Sequence, residues 1–202
     1  MLYLFGGGYM LGSPRSRRKT AGHLALAADA EVFVPDYRLA PEHPFPAAFD
    51  DAVDAYNALP RGRPVFVAGD SSGGGLAIAV ATEVRAAGVI AFSPWADLTC
   101  SGSTMTTNAD RDIECTPESL RQMAQWYAGG HSPADRRLSP ALDPSGIPPL
   151  IAFAGSDEVL LDDARRVTAE TDATLVVAEQ MQHIWPIWVG AFPEADAAMQ
   201  RA

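Results

Sequence analysis

Cysteine is almost absent: Cys100 and Cys115 are the two in 202 residues, and their separation matches no metal-ligand spacing. So sparse a thiol content fits a reducing, cytoplasmic setting, and no metal site is expected. Long apolar runs are missing as well. No stretch approaches a membrane span, and "MLYLF" at the start is too short and lacks the charged leader of a signal peptide, so stable membrane insertion is not expected. Positive charge is scarce, with 15 Lys and Arg against 25 Asp and Glu and a net charge of −10. That excludes general affinity for nucleic acid or anionic membranes. The one basic run, "RSRRK" (15–19), reads as a solvated surface. Low-complexity linkers and internal repeats are lacking too.

What is present is a regular alternation. Strand candidates are "MLYLF" (1–5), "EVFVPDY" (31–37), "PVFVAGD" (64–70), "GVIAFSPW" (88–95), "PPLIAFAGS" (148–156) and "TLVVAEQM" (174–181). Several are apolar nearly throughout, as expected of parallel strands covered on both faces. Between them Ala21, Leu24, Ala25 and Ala28, and again Phe49, Ala52, Val53 and Tyr56, repeat at helical spacing. "GGLAIAVATEVRAAG" is small or apolar on most sides and predicts a deeply buried helix. The pattern predicts one α/β domain over residues 1–202, with a mainly parallel sheet of about six strands and helices on both faces. Residues 96–147 break the rhythm as an insertion at a strand's carboxyl end, where lids and substrate walls are built. Within it "TPESLRQMAQWYAGG" predicts a helix with Thr116 as N-cap, Pro117 in the first turn and Gly129 near the stop.

The chemistry centres on "VAGDSSGGGLA". Gly69-Asp70-Ser71-Ser72-Gly73 is a G-x-S-x-G nucleophile elbow placed after a β-run and before a buried helix. Ser71 would sit on the strained turn, with the Ser72 amide aimed at developing negative charge. A serine nucleophile needs a base, and the base an orienting acid. His23, His43 and His131 lie in polar, Pro-rich or inserted segments and read as surface or loop histidines; His183 follows the last strand. The order Ser…Asp…His selects His183 as base. For the acid, Asp157 in "FAGSDEVLLDDA" is chosen ahead of Asp162; Asp162 and Asp163 read as N-cap and first-turn residues of the next helix, and Glu158 reads as pointing elsewhere. The glycines of "FGGGY" would bring bare backbone amides to an oxyanion.

At this point the chain resembles the bacterial hormone-sensitive-lipase-like (family IV) carboxylesterases, a branch of the α/β-hydrolase superfamily. "FGGGY", "PDYRLAPEHPFPAAFDD", "AGDSSGGGLA", "FSPWADLT", "GSDEVLLDDARR" and "MQHIW" follow in that family's order over nearly the whole chain. The resemblance implies Ser71 as nucleophile, Asp157 as acid and His183 as base, with Gly7, Gly8 and the Ser72 amide as oxyanion hole. Tyr9, Trp95 and Trp185 are the candidate pocket residues, with Trp126 and Trp188 as further aromatic candidates. Three departures follow from the same comparison. Phe5 stands where the family has a histidine that helps hold the glycine loop, so a looser hole and reduced activity are expected. The family's N-terminal cap helices and first two strands have no counterpart, which would make "EVFVPDY" an exposed sheet edge able to pair with a second copy in a homodimer. The connections "LPRGRPVF" and "RAAGVIAF" are short for the family.

The expected function is a serine carboxylesterase that hydrolyses small short-chain acyl esters through an acyl-enzyme, without a cofactor. The alternative is a catalytically weak or inactive ligand-binding protein on the same fold. A dinucleotide site is the weakest reading: Gly6, Gly8 and Gly12 give G-x-G-x-x-x-G, one residue off the Rossmann pattern, and Asp36 is the one acid at the end of the next strand.

Overall fold

The computed structural model describes residues 1–60, 62–169 and 172–202; of the short connection at 59–66, residue 61 lies outside the described residues. Five parallel strands, β1 (Leu2–Leu4), β2 (Phe66–Asp70), β3 (Gly88–Phe92), β4 (Leu150–Gly155) and β5 (Ala173–Ala178), form one sheet in chain order. Their side chains alternate between two cores. Leu2, Leu4, Val67, Val89 and Ala91 face one side, and Tyr3, Ala68, Ile90, Phe92 and Phe153 face the other. Burial on both faces is why these strands read as unbroken apolar runs.

Helices close both faces. On the first side α2 (Ala47–Ala58), α3 (Ser72–Val84) and α6 (Leu161–Thr168) pack on the sheet. On the second lie α1 (Arg18–Ala27) and α7 (Pro193–Arg201), through Leu24, Ala198 and Met199. The small residues of α3 let it settle against the strands, and Ser72 through Ala81 are all buried. The segment between β3 and β4 holds α4 (Thr104–Thr107) and α5 (Pro117–Ala128). Helix α5 begins where its sequence predicts: the Thr116 hydroxyl accepts from the Ser119 amide at 3.2 Å, and Gly129 ends it in the left-handed region at φ 56°.

The sheet differs from expectation at one edge. Residues 31–37 form no strand; only Phe33 pairs, bridging to Leu2 beside β1. Tyr3 donates to the Phe33 carbonyl at 2.8 Å and Phe33 donates to Met1 at 2.9 Å. Pro35 follows and carries no N–H, so the ladder cannot extend. No described helix is long and apolar enough to cross a membrane. All five strands point their carboxyl ends the same way, which gathers the segments after β1 (Gly6–Tyr9), β2 (Ser71), β3 (Ser93), β4 (Glu158) and β5 (His183) at one end of the sheet.

Candidate active site

Ser71 sits between β2 and α3 at φ 55° and ψ −125°, outside the comfortable regions for an L-residue. Its backbone is held by four bonds: its N–H donates to Phe92, and its carbonyl accepts from Gly74, Gly75 and Trp95. Gly73 is required by proximity, since a Cβ there would stand 2.2 Å from the Leu4 carbonyl oxygen. The turn lifts the Ser71 hydroxyl to His183, whose Nε2 lies 2.9 Å from Oγ. Ser71 opens α3, whose first N–H groups have no partner within the helix.

The other imidazole nitrogen contacts a carboxylate other than the expected one. His183 Nδ1 lies 3.0 Å from Glu158 Oε2, and both side chains are almost completely buried. Asp157 turns outward instead. It pairs with Arg111 at 3.3 Å, a guanidinium half exposed to solvent, and accepts from the Ser156 hydroxyl at 3.1 Å. Neighbouring side chains in this turn project to opposite sides, and Glu158 is the one that continues inward with the buried run Val159–Leu160–Leu161. The sequence carried that signal: Asp157 follows a Gly-Ser turn, whereas Glu158 leads an apolar run. Asn108 fixes the turn by donating to the Ser156 and Glu158 carbonyls at 3.0 and 2.8 Å. Asp162, the second choice, is engaged elsewhere, accepting from Ser103 and Arg165.

Burial pushes the Glu158 carboxyl above its ordinary value, against the hydrogen bond from His183. For His183, burial pulls the imidazole down, but Cys115 and Glu158 beside it outweigh that and hold it above the ordinary histidine value. The other histidines stay away from Ser71's partners: His43 and His131 are exposed, with His131 edge-on to Phe45, and His23 is half-buried.

The glycine loop lies against the elbow. A Cβ on Gly6 would stand 3.0 Å from that of Ser71. The loop is anchored at two amides: Gly6 donates to Asp70 Oδ1 at 3.1 Å and Tyr9 donates to the Ser72 hydroxyl at 3.2 Å. Gly7 and Gly8, at φ 140° and 62°, lie between these anchors. A Cβ at Gly8 would stand 2.3 Å from Met123 Sδ, so α5 of the inserted segment presses on the loop.

Asp70 is the hub of this arrangement. Fully buried, it also accepts from the Tyr3 hydroxyl at 2.8 Å and binds Arg17 through Nε and Nη2 at 2.9 and 2.8 Å. The basic run was expected to be solvated surface throughout, and it is not: Arg15, Arg18 and Lys19 are exposed, but Arg17 reaches inward. Phe5, where a histidine was expected to hold the loop, is fully buried and stacks on Tyr37 at 4.2 Å between ring centres. The Tyr37 hydroxyl in turn donates to the Phe5 carbonyl.

The expected pocket aromatics belong to the cores. Tyr9 stacks on Tyr127 at 3.7 Å and tilts against Trp95, and Tyr9 and Trp95 are buried with it behind the loop. Trp185 packs against Phe153 on the opposite face of the sheet. Trp126 and Trp188 are exposed. Among the described residues no group of three or more His, Cys, Asp or Glu side chains is placed to hold a metal ion.

Comparison with known proteins agrees with this architecture. Residues 1–186 match a family model of the alpha/beta hydrolase fold. An acetyl-hydrolase of Streptomyces hygroscopicus is 43% identical over all of this chain and 73% of its own length. An esterase of Acinetobacter venetianus is 32% identical over 98% of this chain and 71% of its own. The crystal structure of an esterase from the bacterial hormone-sensitive lipase family superposes with a TM-score of 0.93 at 38% identity, covering 100% of this chain and 73% of that one. By these matches the chain belongs to the hormone-sensitive-lipase-like family of esterases within the α/β-hydrolase fold.

Proposed function

We propose that this protein is a serine carboxylesterase in which Ser71, His183 and Glu158 form the catalytic triad. The observation that carries the reading is the continuous chain of contacts from the Ser71 hydroxyl through His183 to the Glu158 carboxylate, at 2.9 and 3.0 Å. His183 Nε2 takes the hydroxyl proton as Ser71 Oγ attacks the ester carbonyl carbon. The negative charge that forms on the carbonyl oxygen is received by the amides of Gly7, Gly8 and Ser72. Collapse expels the alcohol, which leaves with the proton from His183 and an acyl group on Ser71. Water then gives a proton to His183 and attacks the acyl carbon, and the acid departs as the proton returns to Oγ. Glu158 holds the imidazole in the tautomer with Nδ1 protonated and stabilises the imidazolium in both halves.

Two features support small acyl groups as substrates. Met123 presses on Gly8 beside the hole, and the aromatic residues behind the loop are packed against each other rather than open to a chain. The anchoring of Gly6 by Asp70 weakens the Phe5 argument for the binding-protein alternative, because the loop is fixed without a histidine. The test is hydrolysis of p-nitrophenyl acetate, butyrate and octanoate by the purified protein beside Ser71→Ala. Turnover that falls with acyl length and vanishes in the variant is expected. A folded wild type as inert as the variant refutes the reading.

A further inference from the structure

We infer that Ser93, at the carboxyl end of β3, is a positioning residue that anchors the loop carrying the base His183 to the sheet. The inference rests on the triad assignment above. Ser93 is fully buried and holds φ at 46°, a conformation L-residues rarely adopt. Its backbone is pinned to β4, its N–H donating to the Phe153 carbonyl at 2.7 Å. Its hydroxyl oxygen accepts from the N–H of Ile184, the residue next to His183, at 2.8 Å.

That acceptance leaves the hydroxyl one proton to donate. The Glu158 carboxylate lies near it, and Ser93 favours its charged form. Ser93 thus ties the loop after β5, which carries His183, to the sheet: its hydroxyl holds the Ile184 amide while its own N–H is held by β4. Ile184 is itself at φ 51°, so its loop gains from an external anchor. The groups facing this pair are few: Asp112 lies near Glu158 and Cys115 near His183. Neither supplies a bond to the Ile184 amide. Without Ser93 the chain still folds into the same strands and the loops after β4 and β5 still meet through the Asp157 amide on the Met181 carbonyl and the Gln180 amide on the Ser156 hydroxyl, but the Ile184 amide next to His183 loses its partner.

The test compares Ser93→Gly and Ser93→Ala with the parent. Glycine suits φ 46° and removes the hydroxyl without backbone strain, so a loss in both variants belongs to the hydroxyl and not to misfolding. We expect kcat to fall between about tenfold and a hundredfold with KM within about twofold, as loosened positioning does. Added to Glu158→Gln, Ser93→Gly should cost less than about twofold more, because both act by orienting the same imidazole. The low-field proton resonance of His183 Nδ1–H should shift or broaden in Ser93→Gly. Single variants within twofold of the parent, a full loss repeated in the Glu158→Gln background, or an unmoved resonance each overturn the inference. Turnover that survives Ser71→Ala would instead overturn the triad assignment, and the proton resonance would still decide the role of Ser93.

Discussion

Replacing Glu158 by glutamine keeps the volume of the side chain and removes its charge, so it isolates what the carboxylate does. Both partners of the His183–Glu158 contact are buried, at 4% and 0% side-chain exposure, so no solvent can stand in for the lost charge. Breaking a buried pair from one side costs about 3–5 kcal/mol. In the form that turns over, His183 starts neutral and becomes imidazolium during the reaction, so most of that cost should fall on the barrier, a loss of roughly 10²- to 10⁴-fold in kcat at about 1.4 kcal/mol per decade. The pH profile should change with it. His183 works as a base only when neutral, so activity rises as pH climbs through its raised value. Glu158 favours the imidazolium; without it the histidine loses its proton at lower pH, and the acid limb moves down while the plateau falls. Asp157→Asn is the control. Its bridge to Arg111 spans 3.3 Å with the arginine 54% exposed, worth about 0–1 kcal/mol, so kcat should stay within about twofold. Initial rates on p-nitrophenyl acetate from pH 5 to 9 decide the matter. If Asp157→Asn abolishes turnover and Glu158→Gln spares it, the acid has been assigned to the wrong carboxylate.

Arg17→Ala should leave Asp70 charged, buried and short of its cation, costing about 3–5 kcal/mol. At about 2–4 °C per kcal/mol that is a fall of several degrees or more in Tm, read by thermal melting. Met123→Ala removes the thioether that presses on Gly8 and should shift the preferred acyl length upward in the p-nitrophenyl series; an unchanged preference would place the size limit elsewhere. Phe5→His puts an imidazole into the stack on Tyr37, where burial is complete. An unpartnered polar group there costs about 1–3 kcal/mol, so calorimetry should show a lower Tm and rate assays no gain in kcat.

The frame of this molecule was legible because its strands are buried on both faces and its helices carry caps. Leu2–Leu4, Phe66–Asp70 and the start of α5 at Thr116 all lie where the sequence put them. The elbow was legible because close backbone approach around Ser71 demands small residues on either side. Less legible was anything decided by which way one side chain turns. Asp157 and Glu158 share a turn and a charge, and only the buried run after Glu158 separates them. Arg17 sits among exposed basic residues, and nothing local distinguishes the one that reaches Asp70. Trp185 stands two residues from His183, yet the 3₁₀ turn Trp185–Trp188 carries its ring to the other face of the sheet.

Strain shows the same division between frame and site. Eight non-glycine residues among those described have positive φ, and Tyr9, Ser71, Ser93, Gln180 and Ile184 lie in the loop ends that build the site. Asp29 and Arg85, by contrast, follow or cap helices, where the left-handed conformation is routine. Such residues cost on the order of 1–3 kcal/mol each when the surroundings impose them. Five together rival the whole net stability of an average domain, about 5–15 kcal/mol. They persist only because the elements beneath are over-determined: α3 buries ten consecutive residues from Ser72 to Ala81 against the sheet, and Asp70 of β2 holds the loop through Gly6 while binding Tyr3 and Arg17 as well. A glycine at position 93 should therefore relieve backbone strain but orphan the Ile184 N–H, weakening the site with little net gain to the fold. The strain at these loop ends is held by packing elsewhere because relaxing it would let the serine, the imidazole and the carboxylate drift apart.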